Sequence, residues 1–157
     1  MKYTVRFAHL RDTPEWKIGD TVKRGDVIGI MGNSGLSTAI HLHIDCVEGE
    51  QKEPYDLAAI NTGKPKANKM QLDYFIDEEM FGVKPFITTK YLDPQYKIDW
   101  NKDHPAYDVV PIDRHYDKSH FAIHWNRSMN GKVVLITDKT TGYGNCVYVY
   151  FETKGKA

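Results

Sequence analysis

Short runs of apolar residues with a period of two constrain the fold of this chain more than any other feature of its sequence. Residues 3–7 alternate polar and apolar side chains, and residues 145–151 (NCVYVYF) form an apolar and aromatic run. Three further β-type runs occupy residues 26–31, 40–47 and 132–137. Side chains of a strand alternate between two faces, so these runs predict strands and a mainly β fold.

Helix signals are weak by comparison. Residues 54–60 predict one or two turns that end at Asn61-Thr62-Gly63, and residues 77–80 predict another turn. Residues 61–68 (NTGKPKAN) are polar, contain Gly and Pro, and have no apolar face. They predict a linker.

Size and charge exclude several classes of protein. A chain of 157 residues predicts one domain, and its 21 Lys and Arg balance 21 Asp and Glu, which argues against a nucleic-acid binder. The longest apolar run, residues 133–136, is far too short to span a membrane. Cys46 and Cys146 have no metal-ligand spacing, and two reduced thiols are the simpler interpretation, because a disulfide would need an oxidising compartment.

Two histidine motifs carry the candidate chemistry. His41 and His43 belong to one predicted strand, so their side chains share a face. Alone, such a pair is more often two exposed strand histidines, and the motif from His104 to Asp108 is weak by itself. Together, His43, His104 and Asp108 supply the two imidazoles and one carboxylate that a catalytic zinc uses, with His41 beside them as an acid or base.

Three segments resemble one known family. Residues 7–10 (FAHL) resemble its aromatic-x-H-L strand, residues 19–29 (GDTVKRGDVIG) its G-D-x-V-x-x-G-x-x-I-G turn and strand, and residues 32–45 (GNSGLSTAIHLHID) its H-x-H block. The family is that of the lysostaphin/LytM-type zinc metallopeptidases, M23, and the match is to its C-terminal half. The resemblance implies a single antiparallel β-sheet domain of the LytM/lysostaphin type, similar to a duplicated hybrid motif.

The motifs of the family's N-terminal half follow this block instead of preceding it, at residues 104–108, 131–134 and 142–145. The resemblance therefore implies a circular permutation within one domain. Residues 1–60 would be the family's C-terminal half, residues 61–73 a linker and residues 74–157 its N-terminal half. The alternative is exchange of strands between two chains in a swapped dimer, and the length of the linker favours a permuted monomer.

The resemblance also implies an activity. The protein would be a zinc endopeptidase that hydrolyses peptide bonds in the stems or cross-bridges of bacterial peptidoglycan. The expected Zn²⁺ ligands are His43, His104 and Asp108. His41 is the expected general base for a zinc-activated water, and His9 is expected to hydrogen-bond to that water or to the developing oxyanion. Tyr91 and Ser37 are candidate substrate-binding residues, although ordinary aromatic packing is the favoured alternative for Tyr91.

Two questions stay open from the sequence. A relative that has lost activity could bind cell wall or another protein without cutting, but the presence of all five expected site residues favours the enzyme. Without a recognisable signal peptide, the expected setting is a phage or prophage lysin made in the cytoplasm and acting at the cell wall, or an extracellular enzyme. His115, His120 and His124 match no common ligand spacing, and we expect solvated surface histidines in a variable insertion over residues 113–128.

Overall fold

The computed structural model describes residues 1–37, 39–57, 65–112 and 121–154. Its strands are β1 (Lys2–Leu10), β2 (Thr21–Val22), β3 (Val27–Ile30), β4 (Leu42–Glu48), β5 (Pro85–Thr89), β6 (Tyr107–Pro111), β7 (Ala122–His124), β8 (Gly131–Thr137) and β9 (Asn145–Glu152), and its helices are α1 (Lys69–Asp73) and α2 (Pro94–Trp100). In this part of the chain, seven strands form an antiparallel sheet in the order β2-β8-β9-β1-β4-β6-β5, and β3 pairs with β7. The prediction of a mainly β protein is confirmed.

Strand β1 lies in the middle of the large sheet, between β9 and β4. Val5 lies opposite Val149, and Phe7 lies opposite Val147, in the antiparallel ladder with β9. All four side chains are fully buried in the main hydrophobic core. The alternation in residues 3–7 therefore reports the inward face of a central strand, as the period of two predicts.

The opposite face of the same strands carries polar side chains. Arg6 of β1 and Asp45 of β4 are partners across the ladder and are both fully buried, and His43 shares their face of the sheet. A smaller apolar cluster that includes Cys146 and Tyr148 packs on this face. The sheet thus separates an apolar core on one side from a buried polar group on the other, and the candidate site lies on the polar side.

The predicted linker contains regular structure in its described part. Helix α1 lies within residues 61–73, where Asn68 caps its first turn by accepting a hydrogen bond from the Gln71 backbone N–H. Leu72 of this helix is buried in the main core, and Ala67 forms a β-bridge with Val47. Residues 61–64 lie outside the described residues, and the division of the domain into two family halves stays a prediction.

The other helix predictions had mixed outcomes. The turn expected at residues 77–80 is present, since the Met80 N–H donates to the Asp77 carbonyl oxygen. Of the turns expected at residues 54–60, the last three residues lie outside the described residues. Helix α2 was not predicted, although Asp93 caps it and Pro94 occupies its first turn.

Both cysteines are buried free thiols, so the expectation of reduced cysteines is confirmed. Among the helices of the described residues, none has the length and apolar character that a bilayer span requires.

Candidate metal centre

The centre is organised around one oxygen atom of Asp108. His43 and Asp108 are direct partners across β4 and β6, and His43 Nδ1 lies 3.2 Å from Asp108 Oδ1. His104, just before β6, brings its Nε2 to 3.4 Å from the same oxygen. The three ligand atoms all lie within 4.8 Å of one another. These residues could hold one metal ion, and all three were predicted from the sequence.

The electrostatics of Asp108 fit a cation. Burial by itself would raise the pKa of Asp108, but the surrounding imidazoles of His104, His41 and His43 hold that pKa well below its ordinary value. The carboxyl group is therefore ionised. Its Oδ1 atom is buried and has no hydrogen-bond partner in the described part of the chain, despite the nearby imidazole nitrogens. A buried charged oxygen without a hydrogen bond is costly, and a metal ion bound by Asp108, His43 and His104 would satisfy it.

His41 lies at the edge of this group with a defined tautomer. Its Nδ1 lies 2.7 Å from the Ala39 carbonyl oxygen, which can only accept, so Nδ1 carries the proton. The other nitrogen, Nε2, lies 3.5 Å from Asp108 Oδ1 and is the one that carries the lone pair in the neutral ring. Ser37 also lies here, with its hydroxyl 3.3 Å from His41 Nδ1 and donating to the same Ala39 carbonyl. The structure therefore brings Ser37 to His41, and its expected role in substrate binding stays a prediction.

His9 reaches the group from a bulge at the end of β1. The register between β1 and β9 shifts after Phe7, and His9 has a φ of 60°, an uncommon conformation for a residue other than glycine. Its Nδ1 donates to the Ser34 carbonyl oxygen at 2.6 Å, which leaves the lone pair on Nε2. Its ring centre lies 5.2 Å from that of His41. Burial, reinforced by the neighbouring His43, lowers the pKa of His9 to about 4, so the ring is neutral at neutral pH.

Two tyrosines other than Tyr91 lie against candidate ligands, since the Tyr143 ring lies 5.1 Å from the His43 ring and Tyr96 lies beside His104. The Tyr96 ring lies 4.5 Å from the His104 ring, whereas the Tyr91 ring lies 6.1 Å from that of Tyr107 and packs against the main core. Sequence reasoning missed Tyr96 because it missed helix α2. The Asp93-Pro94 start signal would have placed Tyr96 in the first turn of a helix upstream of His104. A role for Tyr91 in substrate binding stays a prediction.

The remaining histidines form no second group in the described part of the chain. His115 and His120 lie outside the described residues, as does much of the predicted insertion. His124 lies in β7, is partly buried, and has its Nδ1 3.3 Å from the Met80 carbonyl oxygen. Its neighbours Ile123 and Trp125 are fully buried, so this end of the segment belongs to the core.

These features define a β-sheet protein with a His/His/Asp group that could hold a metal ion, flanked by His9 and His41. Residues 1–56 match the family model of Peptidase family M23. Over this segment, about a third of the chain, the protein is similar to the M23 peptidases, and the matched residues include His9, His41 and His43. His104 and Asp108 lie beyond it, and the structure brings them to the matched strand. No solved structure matches the chain.

Proposed function

We propose that the protein is a zinc endopeptidase that hydrolyses peptide bonds in the stems or cross-bridges of bacterial peptidoglycan. The observation that carries this proposal is the convergence of His43, His104 and Asp108 on one point beside a strand of the M23 segment. Two imidazoles and one carboxylate form the ligand set of many catalytic zinc sites, which leave a further position open. The ionised Asp108, without a hydrogen bond at Oδ1, supports the same assignment.

Each flanking histidine has a defined part in the proposed reaction. Zn²⁺ held by this group would polarise the scissile carbonyl and acidify the attacking water. His41 is the general base, since its Nε2 lone pair lies at the edge of the ligand group while its Nδ1–H is held by Ala39. An imidazole is suited to this step because its pKa lies near neutrality.

The tautomer of His9 limits the role that this residue can have in the proposed reaction. Because the neutral His9 ring donates through Nδ1 to Ser34, its Nε2 can only accept a hydrogen bond. Acceptance from the attacking water fits this state, whereas donation to a developing oxyanion would require a second proton on the ring. We therefore assign His9 to orienting the water, the first of the two roles expected from the sequence.

We also propose that the segment order is a circular permutation within one chain. Strand β1 pairs with β9 along seven residue pairs, from Lys2 with Glu152 to Leu10 with Asn145. Beyond the strand ends, the Met1 ammonium group donates to the Thr153 carbonyl oxygen at 2.7 Å. The antiparallel pairing of β1 with β9 is the pairing that a permuted sheet within one chain requires.

The proposed activity is tested on purified peptidoglycan. Metal-free protein, prepared by chelation, is assayed for the release of new amino termini before and after addition of one equivalent of Zn²⁺. The matched control is His41→Ala, which retains the proposed ligands. We expect release only with the wild-type protein and zinc. Zinc bound without cleavage of walls that differ in their cross-bridges would contradict the proposal and favour an inactive binding module.

A further inference from the structure

A buried carboxylate lies directly behind the candidate ligand His43. Asp45 follows two residues later on the same face of β4, and its Oδ2 lies 3.0 Å from His43 Nε2 with hydrogen-bond geometry. The same Oδ2 accepts two hydrogen bonds from Arg6, from Nε at 2.9 Å and from Nη2 at 2.7 Å. The side chains of Arg6 and Asp45 are both 0% exposed.

Asp45 has little freedom to move. The Tyr55 hydroxyl donates to its other oxygen at 2.9 Å, and the Arg6 Nη1 group donates to the Tyr55 backbone carbonyl at 2.6 Å. The Arg6 guanidinium also lies between two aromatic rings, 4.2 Å from the centre of Tyr55 and 3.8 Å from that of Tyr143. Arg6, Asp45 and Tyr55 therefore form one hydrogen-bonded set, in which Arg6 and Asp45 are buried and Tyr55 is half-buried, and we call it the Arg6 clamp.

The position of the clamp, more than its contribution to stability, indicates a role at the candidate metal centre. A buried ion pair often adds little to folding compared with apolar residues of similar volume. Here it lies directly across β1 and β4, with its acceptor oxygen aimed at an imidazole whose other nitrogen faces Asp108. A carboxylate can only accept, so the hydrogen bond to Asp45 places the proton of a neutral His43 on Nε2.

Two carboxylates compete for that proton. Asp108 Oδ1 lies 3.2 Å from Nδ1 but makes no hydrogen bond with it, whereas the contact from Nε2 to Asp45 has hydrogen-bond geometry. If the proton moved to Nδ1, the nitrogen that faces the other two ligands could not bind a metal. The identity of the protonated nitrogen therefore decides whether His43 is a competent ligand.

We propose that Asp45, held by Arg6 and Tyr55, is a positioning residue that keeps His43 in its Nε2–H tautomer and so presents the Nδ1 lone pair to the metal. The metal part of this inference rests on the proposed function. The tautomer part concerns the metal-free protein and can be tested separately.

The first test is ¹⁵N NMR of the histidine rings in metal-free wild-type protein at alkaline pH, where neutral rings predominate. We expect the His43 proton on Nε2, as assigned by comparison with His43→Gln. A proton found on Nδ1 of His43 would overturn the proposal, and this result needs no mutation in the clamp. This measurement stays decisive even if clamp variants fail to fold, and even if the wild-type protein binds no zinc and the proposed function fails.

The second test removes the acceptor without leaving a buried charge. In Arg6→Met/Asp45→Leu, we expect the His43 proton to move to Nδ1, towards Asp108, and zinc affinity measured against a chelator to fall about 10- to 100-fold. In Arg6→Gln/Asp45→Asn, an amide oxygen can still accept from Nε2, so the tautomer and most of the affinity should be retained.

The control replaces an ion pair of the same type on the surface. Arg24 and Glu79 are paired at 2.6 Å with both side chains about half-exposed, and Arg24→Met/Glu79→Leu should change neither readout. A folded Arg6→Met/Asp45→Leu protein that keeps the Nε2–H tautomer and wild-type zinc affinity would overturn the proposal, since the clamp would then be only structural.

Discussion

His43 and Asp108 face each other directly across β4 and β6, with Nδ1 and Oδ1 3.2 Å apart. Two of the three proposed metal ligands are thus fixed by the register of a sheet rather than by a loop. Side chains alternate between the faces of a strand, so a slip of one residue would carry His43 into the apolar core. The large core on the other face, which holds Leu42 and Ile44, therefore also sets the geometry of the site.

The general base can be separated from the ligands by mutation. His41→Ala should abolish hydrolysis and leave zinc bound, because His41 contributes proton transfer and the ligand set excludes it. Hydrolysis and metal content are measured on the same preparation. Loss of zinc from this variant would show that His41 is a ligand and that its assigned role is wrong.

Gly144 holds the loop that anchors His9. Its φ is +70°, and a Cβ there would lie 2.5 Å from the carbonyl carbon of Ser34, whose oxygen binds His9. Gly144→Ala should therefore both destabilise the fold and reduce activity by displacing His9. Gly142 is the matched control, because its φ is +58° but a Cβ there would meet nothing within 4 Å.

In the Gly142→Ala control we expect only the conformational cost of a left-handed residue, about 1–2 kcal/mol in the free energy of unfolding. Chemical denaturation and the hydrolysis assay compare the two variants. Equal losses in both would show that the contact between Gly144 and Ser34 does not position His9.

The depressed pKa of His9 makes stability depend on pH. The ring binds a proton near pH 6.5 in the unfolded chain and only near about 4 in the folded protein. Between these values the unfolded state binds more protons, so this group lowers the free energy of unfolding as the pH falls from about 6.5 to about 4.

Asparagine tolerates a positive φ, so His9→Asn tests this contribution without straining the bulge. In metal-free protein, the pH slope of stability in this window should be shallower in the variant, by up to about 1.4 kcal/mol per pH unit. Urea denaturation at several pH values measures the slope. An unchanged slope would show that the folded His9 titrates normally.

The permutation predicts a monomer that tolerates a return to the ordinary segment order. A variant in which a short Gly-rich turn joins Ala157 to Met1, with the chain reopened between residues 61 and 64, should keep the strand pairing of β1 with β9. Light scattering coupled to gel filtration should give the monomer mass for both arrangements. A wild-type dimer whose relinked form is a monomer would instead support strand exchange.

Strand prediction succeeded for runs whose side chains are mostly buried on both faces of the sheet. The runs at residues 3–7, 40–47 and 145–151 became β1, β4 and β9 of the large sheet. Helix α2 could not be found by periodicity, because none of its residues is buried and its apolar residues, Tyr96, Ile98 and Trp100, alternate along the sequence instead of following a helical period. Its only signal was the capping pair Asp93-Pro94.

The candidate site likewise has residues that the sequence predicts and residues that it does not. His43, His104 and Asp108 could be chosen from their motifs, and the structure brings them together. The ion pair between Arg6 and Asp45 could not be predicted from the sequence. It depends on the register that places these residues opposite each other across β1 and β4. A sequence motif predicts candidate ligands, whereas the residues that orient these ligands are brought to them by tertiary pairing.

Metal content shows whether His43, His104 and Asp108 hold one zinc ion. Purified wild-type protein dialysed against Zn²⁺ and then against metal-free buffer should retain about one equivalent, and His104→Ala or Asp108→Ala should retain none, because two ligands cannot complete the site. His124→Ala, a histidine of the β3–β7 sheet outside the ligand set, should retain zinc as the wild type does. Stoichiometric zinc in the His104 and Asp108 variants would show that these residues are not zinc ligands.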